Sequence, residues 1–254
     1  MTVRYEANPP KILPSADLEH TISEFSKKIK MISADCDAIH LTEDVLGFQR
    51  VSPIKTGRMI KNDLPDMPIT VSLRVRDKTE SQIQEFVDKC ISTGFSGILV
   101  LMGDPSQYGK SDSGEIPSTT VKRLHSQGID SKIDLFLSVP SNPDFEKLGK
   151  KIDAEPKGFI TQVIQSPEQV QKLHDGLSGF AVIPIILFPS EKNLKSAKFL
   201  NIDFATYGKN FEKFATDVHE ITKDVLITSP NDFHGLKRFL EDGSDTIKNY
   251  RAGL

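Results

Sequence analysis

The stretch GILVLMGDP, residues 97–105, decides the fold class of this sequence. A continuous apolar run ends abruptly at Gly103, Asp104 and Pro105. A run without polar alternation is typical of a strand that other layers cover on both faces, as in a parallel sheet. The sequence therefore predicts a buried parallel strand that presents an acid at its carboxyl end.

Similar apolar runs alternate with helical periodicity along the chain. Strands are predicted at 3–6, 38–42, 69–75, 97–102, 134–139, 159–164, 181–187 and 224–228. Helices are predicted at 17–32, 56–62, 79–93, 118–126, 144–153, 168–175, 191–200, 210–220 and 233–240. Parallel strands need such crossover helices, so we expect an α/β protein, a single (β/α)8 TIM barrel over residues 1–254. An open doubly wound sheet is the alternative, but the first turn, residues 7–10, lacks the glycines typical of that fold.

Composition narrows the class of protein. The formal net charge of −3 gives no basic field for a nucleic-acid partner, and no apolar run reaches the length of a membrane span. The first residues lack the apolar core of a signal peptide. The two cysteines, Cys36 and Cys90, lie far apart, which favours a reducing compartment and argues against a cysteine-rich metal site. We expect a cytoplasmic protein without a metal, a nucleic-acid partner or a membrane partner.

Acids and amides dominate the ends of the predicted strands, where TIM barrels carry their chemistry. Glu6, followed by two prolines, is either a general acid with a raised pKa or the partner of Arg74 or another cation of the mouth in an ion pair. Asp104 is either a ligand-facing acid or an acid that closes a turn. Gln162 lies within an apolar strand, so its amide needs a partner inside the barrel or on a ligand.

Two other segments have two interpretations each. Lys147 and Lys151, four residues apart, would share one helix face with Lys150 nearby, either as a solvated surface or as a contact for a phosphate. The polar loop 106–117 is either a lid or an ordinary surface loop. His40 lies inside a strand and no histidine follows a strand, which argues against a histidine metal centre and a Ser-His-Asp triad.

Motifs along nearly the whole chain resemble those of the methylenetetrahydrofolate reductase family. They are YEANPPK at 5–11, LRVRD at 73–77, LVLMGDP at 99–105, KKIDA with FITQ between 150 and 162, and VIPIILFPS at 182–190. The resemblance implies a barrel that binds FAD and passes hydride from NAD(P)H to 5,10-methylenetetrahydrofolate. The product would be methyltetrahydrofolate, which serves one-carbon metabolism and methionine biosynthesis.

The resemblance also implies roles for individual residues. Glu6 matches the general acid that protonates N10 of the substrate, and Asp104 matches an acid near both the flavin and the pterin. Gln162 and Leu187 match substrate-binding positions. The positions that match the cofactor site are Ser72, Met102, Gly103, Asp104, Asp144, Lys147, Lys150 and Lys151.

Several positions depart from the family pattern. Met102 stands where the family commonly has arginine, Ser72 where it often has histidine, and Ser141 where it commonly has glutamate. These departures favour an alternative, a non-reductase barrel that binds a pterin as a methyltransferase component or as a subunit of a larger complex. Both tetrahydrofolate and a methanopterin-type carrier, and both a homo-oligomer and a monomer, are compatible with the sequence.

Overall fold

The eight strands form a closed parallel barrel in chain order, which confirms the predicted TIM barrel. The structure, a computed structural model, describes residues 2–14 and 17–242. The strands are β1 (Thr2–Ala7), β2 (Ala38–Leu41), β3 (Ile69–Arg74), β4 (Gly97–Leu101), β5 (Asp134–Val139), β6 (Gly158–Val163), β7 (Ala181–Leu187) and β8 (Asp224–Thr228). Their carboxyl ends surround one opening, which we call the mouth.

Helices connect the strands around the outside of the barrel. They are α1 (Leu18–Ile32), α2 (Pro53–Asp63), α3 (Glu80–Thr93), α4 (Pro117–Ser126), α5 (Gly149–Ile152), α6 (Pro167–Gly176), α7 (Leu194–Phe199), α8 (Phe211–Thr222) and α9 (Phe233–Asp242). Local sequence signals fix several ends: Thr79 and Gln82 form a capping box before α3, and Gly94 ends that helix in a left-handed conformation. None of the described helices is long and apolar enough to cross a membrane.

The predicted helix over 144–153 is present as two short pieces and not as one regular α-helix. A 3-10 turn at Phe145–Leu148 is followed by α5, which has only four residues. In this segment only Leu148 is buried, so no apolar stripe stabilises a longer helix. Lys147 and Lys151 consequently do not share a face: Lys147 is 82% exposed and pairs with Asp144.

The barrel interior has an apolar side and a polar side. On the strands from β4 to β8, an apolar cluster fills the interior with Leu99, Phe136, Ile160, Ile183 and Leu226. On β1 to β3, alternate positions carry polar side chains instead, namely Arg4, Glu6, His40, Thr70 and Ser72. The polar side leads up to the mouth, where Glu6 is found.

Candidate functional site

Glu6 lies at the mouth between the first and the last strand. The strand register places it beside His40 of β2 and Thr228 of β8. The Thr228 hydroxyl donates a 2.7 Å hydrogen bond to Oε1 of Glu6. Desolvation by the barrel wall raises the pKa of Glu6, and the hydrogen bond from Thr228 opposes that rise. A carboxyl group that keeps its proton to higher pH than an exposed glutamate suits a general acid.

His40 is held neutral beneath the mouth. Its Nδ1 lies 2.8 Å from the Thr70 hydroxyl and its Nε2 lies 3.0 Å from the Ser72 hydroxyl. Burial, together with the charge of Arg4, lowers the pKa of His40 to about 3. Ser72 is therefore buried and hydrogen-bonded inside the barrel.

The ion pair considered for Glu6 and Arg74 is not present. Arg74, with only 1% of its side chain exposed, donates instead to the carbonyl oxygens of Asp104 at 2.8 Å and Asp44 at 3.2 Å. Its NH2 also lies 3.5 Å from Oδ2 of Asp77. Gly103 has a φ of +80°, and a Cβ at this position would lie 2.5 Å from Nε of Arg74. The glycine after β4 therefore makes room for this buried guanidinium.

Asp104 contacts a neighbouring loop rather than Glu6. Its side chain is exposed, and Oδ2 accepts a 3.0 Å hydrogen bond from the backbone N–H of Leu46. Leu46 has a φ of 60°, a left-handed conformation that is costly for a leucine. Asp104 thus stabilises a strained turn between β2 and α2. This contact agrees with the interpretation of Asp104 as an acid that closes a turn, except that the turn lies in the loop after β2 and not in the loop after β4.

The polar loop 106–117 forms hydrogen bonds and an ion pair with residues that follow β2 and β3. The Tyr108 hydroxyl donates to the Asp44 carboxylate, and the Ser113 N–H donates to the Arg76 carbonyl at 2.6 Å. Arg76 also forms a 2.8 Å ion pair with Asp112. The structure therefore shows this loop bound against the ends of β2 and β3.

Gln162 is exposed at the mouth, and its amide forms no hydrogen bond with any other described residue. The alternative of a partner inside the barrel is wrong. A β-bulge shifts the register between β6 and β7 here, so that Thr161 and Gln162 together lie opposite Pro184. The Thr161 hydroxyl takes part in the interrupted ladder by accepting a 3.0 Å hydrogen bond from the Ile185 N–H. Because Gln162 is exposed, its side-chain amide is available to a ligand.

Leu187, the second predicted substrate residue, is fully buried at the end of β7. Its register partner is Thr228, which in turn pairs with Glu6. The Leu187 carbonyl accepts a 3.0 Å hydrogen bond from the Tyr207 hydroxyl. Leu187 therefore gives the mouth an apolar wall next to the acid.

Several of the positions implied for FAD are engaged in contacts within the protein. Ser72 is hydrogen-bonded to His40, and the Gly103 carbonyl accepts from Nε of Arg76 at 2.9 Å. At the start of the lysine segment, the Asp144 carboxylate accepts from the N–H of Glu146. Met102 is half-buried and carries no charge that could pair with a phosphate.

Lys150 and Lys151 are the remaining positions that the resemblance implies for the cofactor site. Lys150 is exposed, whereas Lys151 is half-buried and donates to the Ser138 carbonyl at the end of β5. Burial lowers the pKa of Lys151. Within the described ranges, no group of three His, Cys, Asp or Glu side chains is placed to hold a metal ion.

Sequence reasoning placed Thr228 at a strand end but gave it no role. It also missed the hydrogen-bonded group formed by His40, Thr70 and Ser72. A sequence signal for this polar group was present in β3, where Thr70, Ser72 and Arg74 alternate with buried apolar residues. In a barrel strand that alternation marks a polar interior face.

Comparisons with known proteins show the fold. No protein-family model matches the chain, and no curated protein matches it by sequence. Among solved structures, an uncharacterized protein from Clostridium thermocellum that binds two copies of 5-methyl-5,6,7,8-tetrahydrofolic acid is similar, with a TM-score of 0.58 and 18% identity over 90% of this chain and 88% of that chain.

Two enzymes have the same fold. 2,3-Dimethylmalate lyase, of the PEP mutase/isocitrate lyase superfamily, has a TM-score of 0.57 and 13% identity, covering 100% of this chain and 83% of its own. A chain of the tryptophan synthase α2β2 complex of Pyrococcus furiosus has a TM-score of 0.54 and 9% identity, covering 98% and 95%. At these identities the likeness extends to the barrel and not to a shared activity.

Proposed function

We propose that this protein binds a methylene-tetrahydropterin of the folate type at the barrel mouth and reduces it to the methyl form. The observation that carries the proposal is the half-buried Glu6, oriented by Thr228 and desolvated by the barrel wall. A similar barrel that binds 5-methyl-5,6,7,8-tetrahydrofolic acid supports the choice of ligand. The motifs shared with methylenetetrahydrofolate reductases support the choice of reaction.

In the proposed reaction, Glu6 donates its proton to N10 of the bound pterin while the bond between N10 and the methylene carbon breaks. The electron pair of N5 forms a double bond to that carbon and gives an iminium ion. A hydride from a reduced nicotinamide, NADH or NADPH, then adds to the methylene carbon and forms the methyl group. One proton and one hydride are consumed, and the nicotinamide is oxidised. The free Gln162 amide would bind the polar edge of the pterin.

We propose that no step of this reaction passes through a flavin, because Ser72, Gly103 and Asp144 at the implied flavin positions are engaged in contacts within the protein. The test is anaerobic incubation of the protein with 5,10-methylenetetrahydrofolate and NADH or NADPH, with and without added FAD. We expect 5-methyltetrahydrofolate to form without FAD in the wild type. In Glu6→Gln we expect no product but retained binding of 5-methyltetrahydrofolate. Product formed equally by the variant would overturn the role of Glu6.

A second candidate is a pterin-binding subunit without reductase activity. It is favoured by Met102 and Ser141, which stand where reductases commonly have arginine and glutamate. Calorimetry separates the two functions: the subunit binds 5-methyltetrahydrofolate, but purified protein forms no product with either nicotinamide or with FAD. A protein that binds no tetrahydropterin would contradict both candidates.

A further inference from the structure

Two loops of the mouth lie side by side next to Glu6. Lys11, after β1, and Arg50, after β2, form an isolated antiparallel bridge. The N–H of Ile12 donates to the carbonyl of Gln49 at 3.0 Å. Residues directly opposite one another in an antiparallel pair place their side chains on the same face. We call the surface formed by these loops the rim patch; it consists of Lys11, Ile12, Leu13, Phe48 and Arg50.

The rim patch carries two positive charges, and the acid nearest to them is Asp44, whose carboxylate accepts a 2.8 Å hydrogen bond from the Arg50 backbone N–H. Within residues 2–14 and 17–242, neither Lys11 nor the Arg50 guanidinium forms an ion pair with an acid. Nζ of Lys11 lies 4.0 Å from the centroid of the Phe48 ring, and NH1 of Arg50 donates to the Pro9 carbonyl at 2.7 Å. Nε of Arg50 is buried without a hydrogen-bond partner. Two cationic side chains on one face, one of them with an unsatisfied buried N–H, suit an anionic ligand.

Apolar side chains surround these charges. Ile12 is 40% exposed, Leu13 is 54% exposed and Phe48 is 37% exposed. Apolar residues beside a few convergent polar groups are typical of a ligand site. The combination matches a molecule that has an aromatic ring and an anionic end.

We infer that the rim patch binds the aminobenzoyl-glutamate tail of a tetrahydrofolate whose pterin lies at Glu6. The benzoyl ring would lie against Phe48 and Leu13, and the glutamate carboxylates would meet Lys11 and Arg50. This inference rests on the proposed function and adds which carrier the protein accepts. Lys11 follows Glu6 by five residues and so lies within about 17 Å of it, a distance suited to a ligand whose pterin, ring and glutamate follow in line.

The test uses calorimetry with the full chain and three probes. The probes are 5-methyltetrahydrofolate with one glutamate, the same compound with three glutamates, and 6-methyltetrahydropterin, which has no tail. Lys11→Ala removes one charge of the rim patch, and Phe48→Ala removes the ring. Lys27→Ala, a change at an exposed lysine on α1, is the matched control. Because Lys11 is exposed, its truncation leaves the barrel core intact.

We expect Lys11→Ala to weaken binding of the triglutamate about tenfold, as for loss of a charge-assisted hydrogen bond, and to weaken the monoglutamate less. Phe48→Ala should weaken both folates, while neither variant should change binding of the tail-free pterin. Equal affinities of wild type and both variants for the folates would overturn the inference and leave the proposed function standing. Absence of binding of every probe to the wild type would overturn the proposed function itself.

Discussion

The Thr228 hydroxyl and the Glu6 carboxylate meet across the seam where the last strand pairs with the first. Their residues are register partners in the pairing of β1 with β8, and the hydrogen bond between them is 2.7 Å long. The pairing of β8 with β1, which closes the barrel, thus orients the carboxyl group of Glu6, the proposed general acid. A chain that failed to pair β8 with β1 would also lose the orientation of Glu6.

Thr228→Val should lower the rate of pterin reduction about fivefold to tenfold, because it removes one hydrogen bond that orients the acid. Thr228→Ser keeps the hydroxyl and should restore most of the rate. Activity falls as pH rises through the pKa of a general acid. Loss of the hydrogen bond raises that pKa, so the basic limb of the rate profile should move to higher pH in the valine variant. If the valine variant is slower but the basic limb of its pH–rate profile stays at the wild-type pH, Thr228 has a purely structural role.

His40 should make the fold less stable in mild acid. Its pKa of about 3 in the folded protein lies below the ordinary value of 6.5, so the unfolded chain binds the extra proton. Stability is therefore lost as pH falls below about 6.5, by up to about 1.4 kcal/mol per pH unit.

Urea unfolding of the wild type and His40→Gln between neutral and mildly acidic pH tests this expectation. The variant should show a shallower loss, because glutamine does not titrate. Burial also lowers the pKa of His219, which is unchanged in both proteins and cancels in the comparison. Parallel pH dependences in the two proteins would show that His40 is not the responsible group.

Gly103→Ala should destabilise the protein more than Gly109→Ala. Both glycines have a positive φ, +80° and +86°, so both variants incur the same backbone cost of about 1 kcal/mol. Only at Gly103 does the new Cβ meet Arg74, at 2.5 Å from Nε, whereas nothing lies within 4 Å at Gly109. We expect an additional loss of about 1–3 kcal/mol in the free energy of unfolding for Gly103→Ala. Equal losses would mean that Arg74 moves aside freely.

The sequence was sufficient to predict the barrel because its strands are apolar runs bounded by turn residues. GILVLMGDP contains β4, a buried strand that ends at Leu101, shortly before Asp104, as predicted. Glu6 was likewise identifiable, since a strand end in a barrel is a position at the mouth. The partners of these residues were not identifiable, because they come from distant parts of the chain.

Asp104 shows that limit most clearly. Its hydrogen-bond partner, the N–H of Leu46, lies 58 residues away in the chain, in a loop whose conformation has no simple sequence signal. Lys147 and Lys151 show another limit, because their spacing suits one regular α-helix but the segment buries too little apolar surface and is divided between a 3-10 turn and α5. Spacing predicts a shared face only where tertiary packing supports the helix.

The bulge in β6 makes one side chain part of the sheet. Thr161 and Gln162 together lie opposite Pro184 of β7, and the Thr161 hydroxyl accepts the hydrogen bond from the Ile185 N–H. The next residue is the exposed Gln162 at the mouth. Selection for a new substrate therefore has a target in a residue that faces the neighbouring strand, as well as in the side chains that line the mouth.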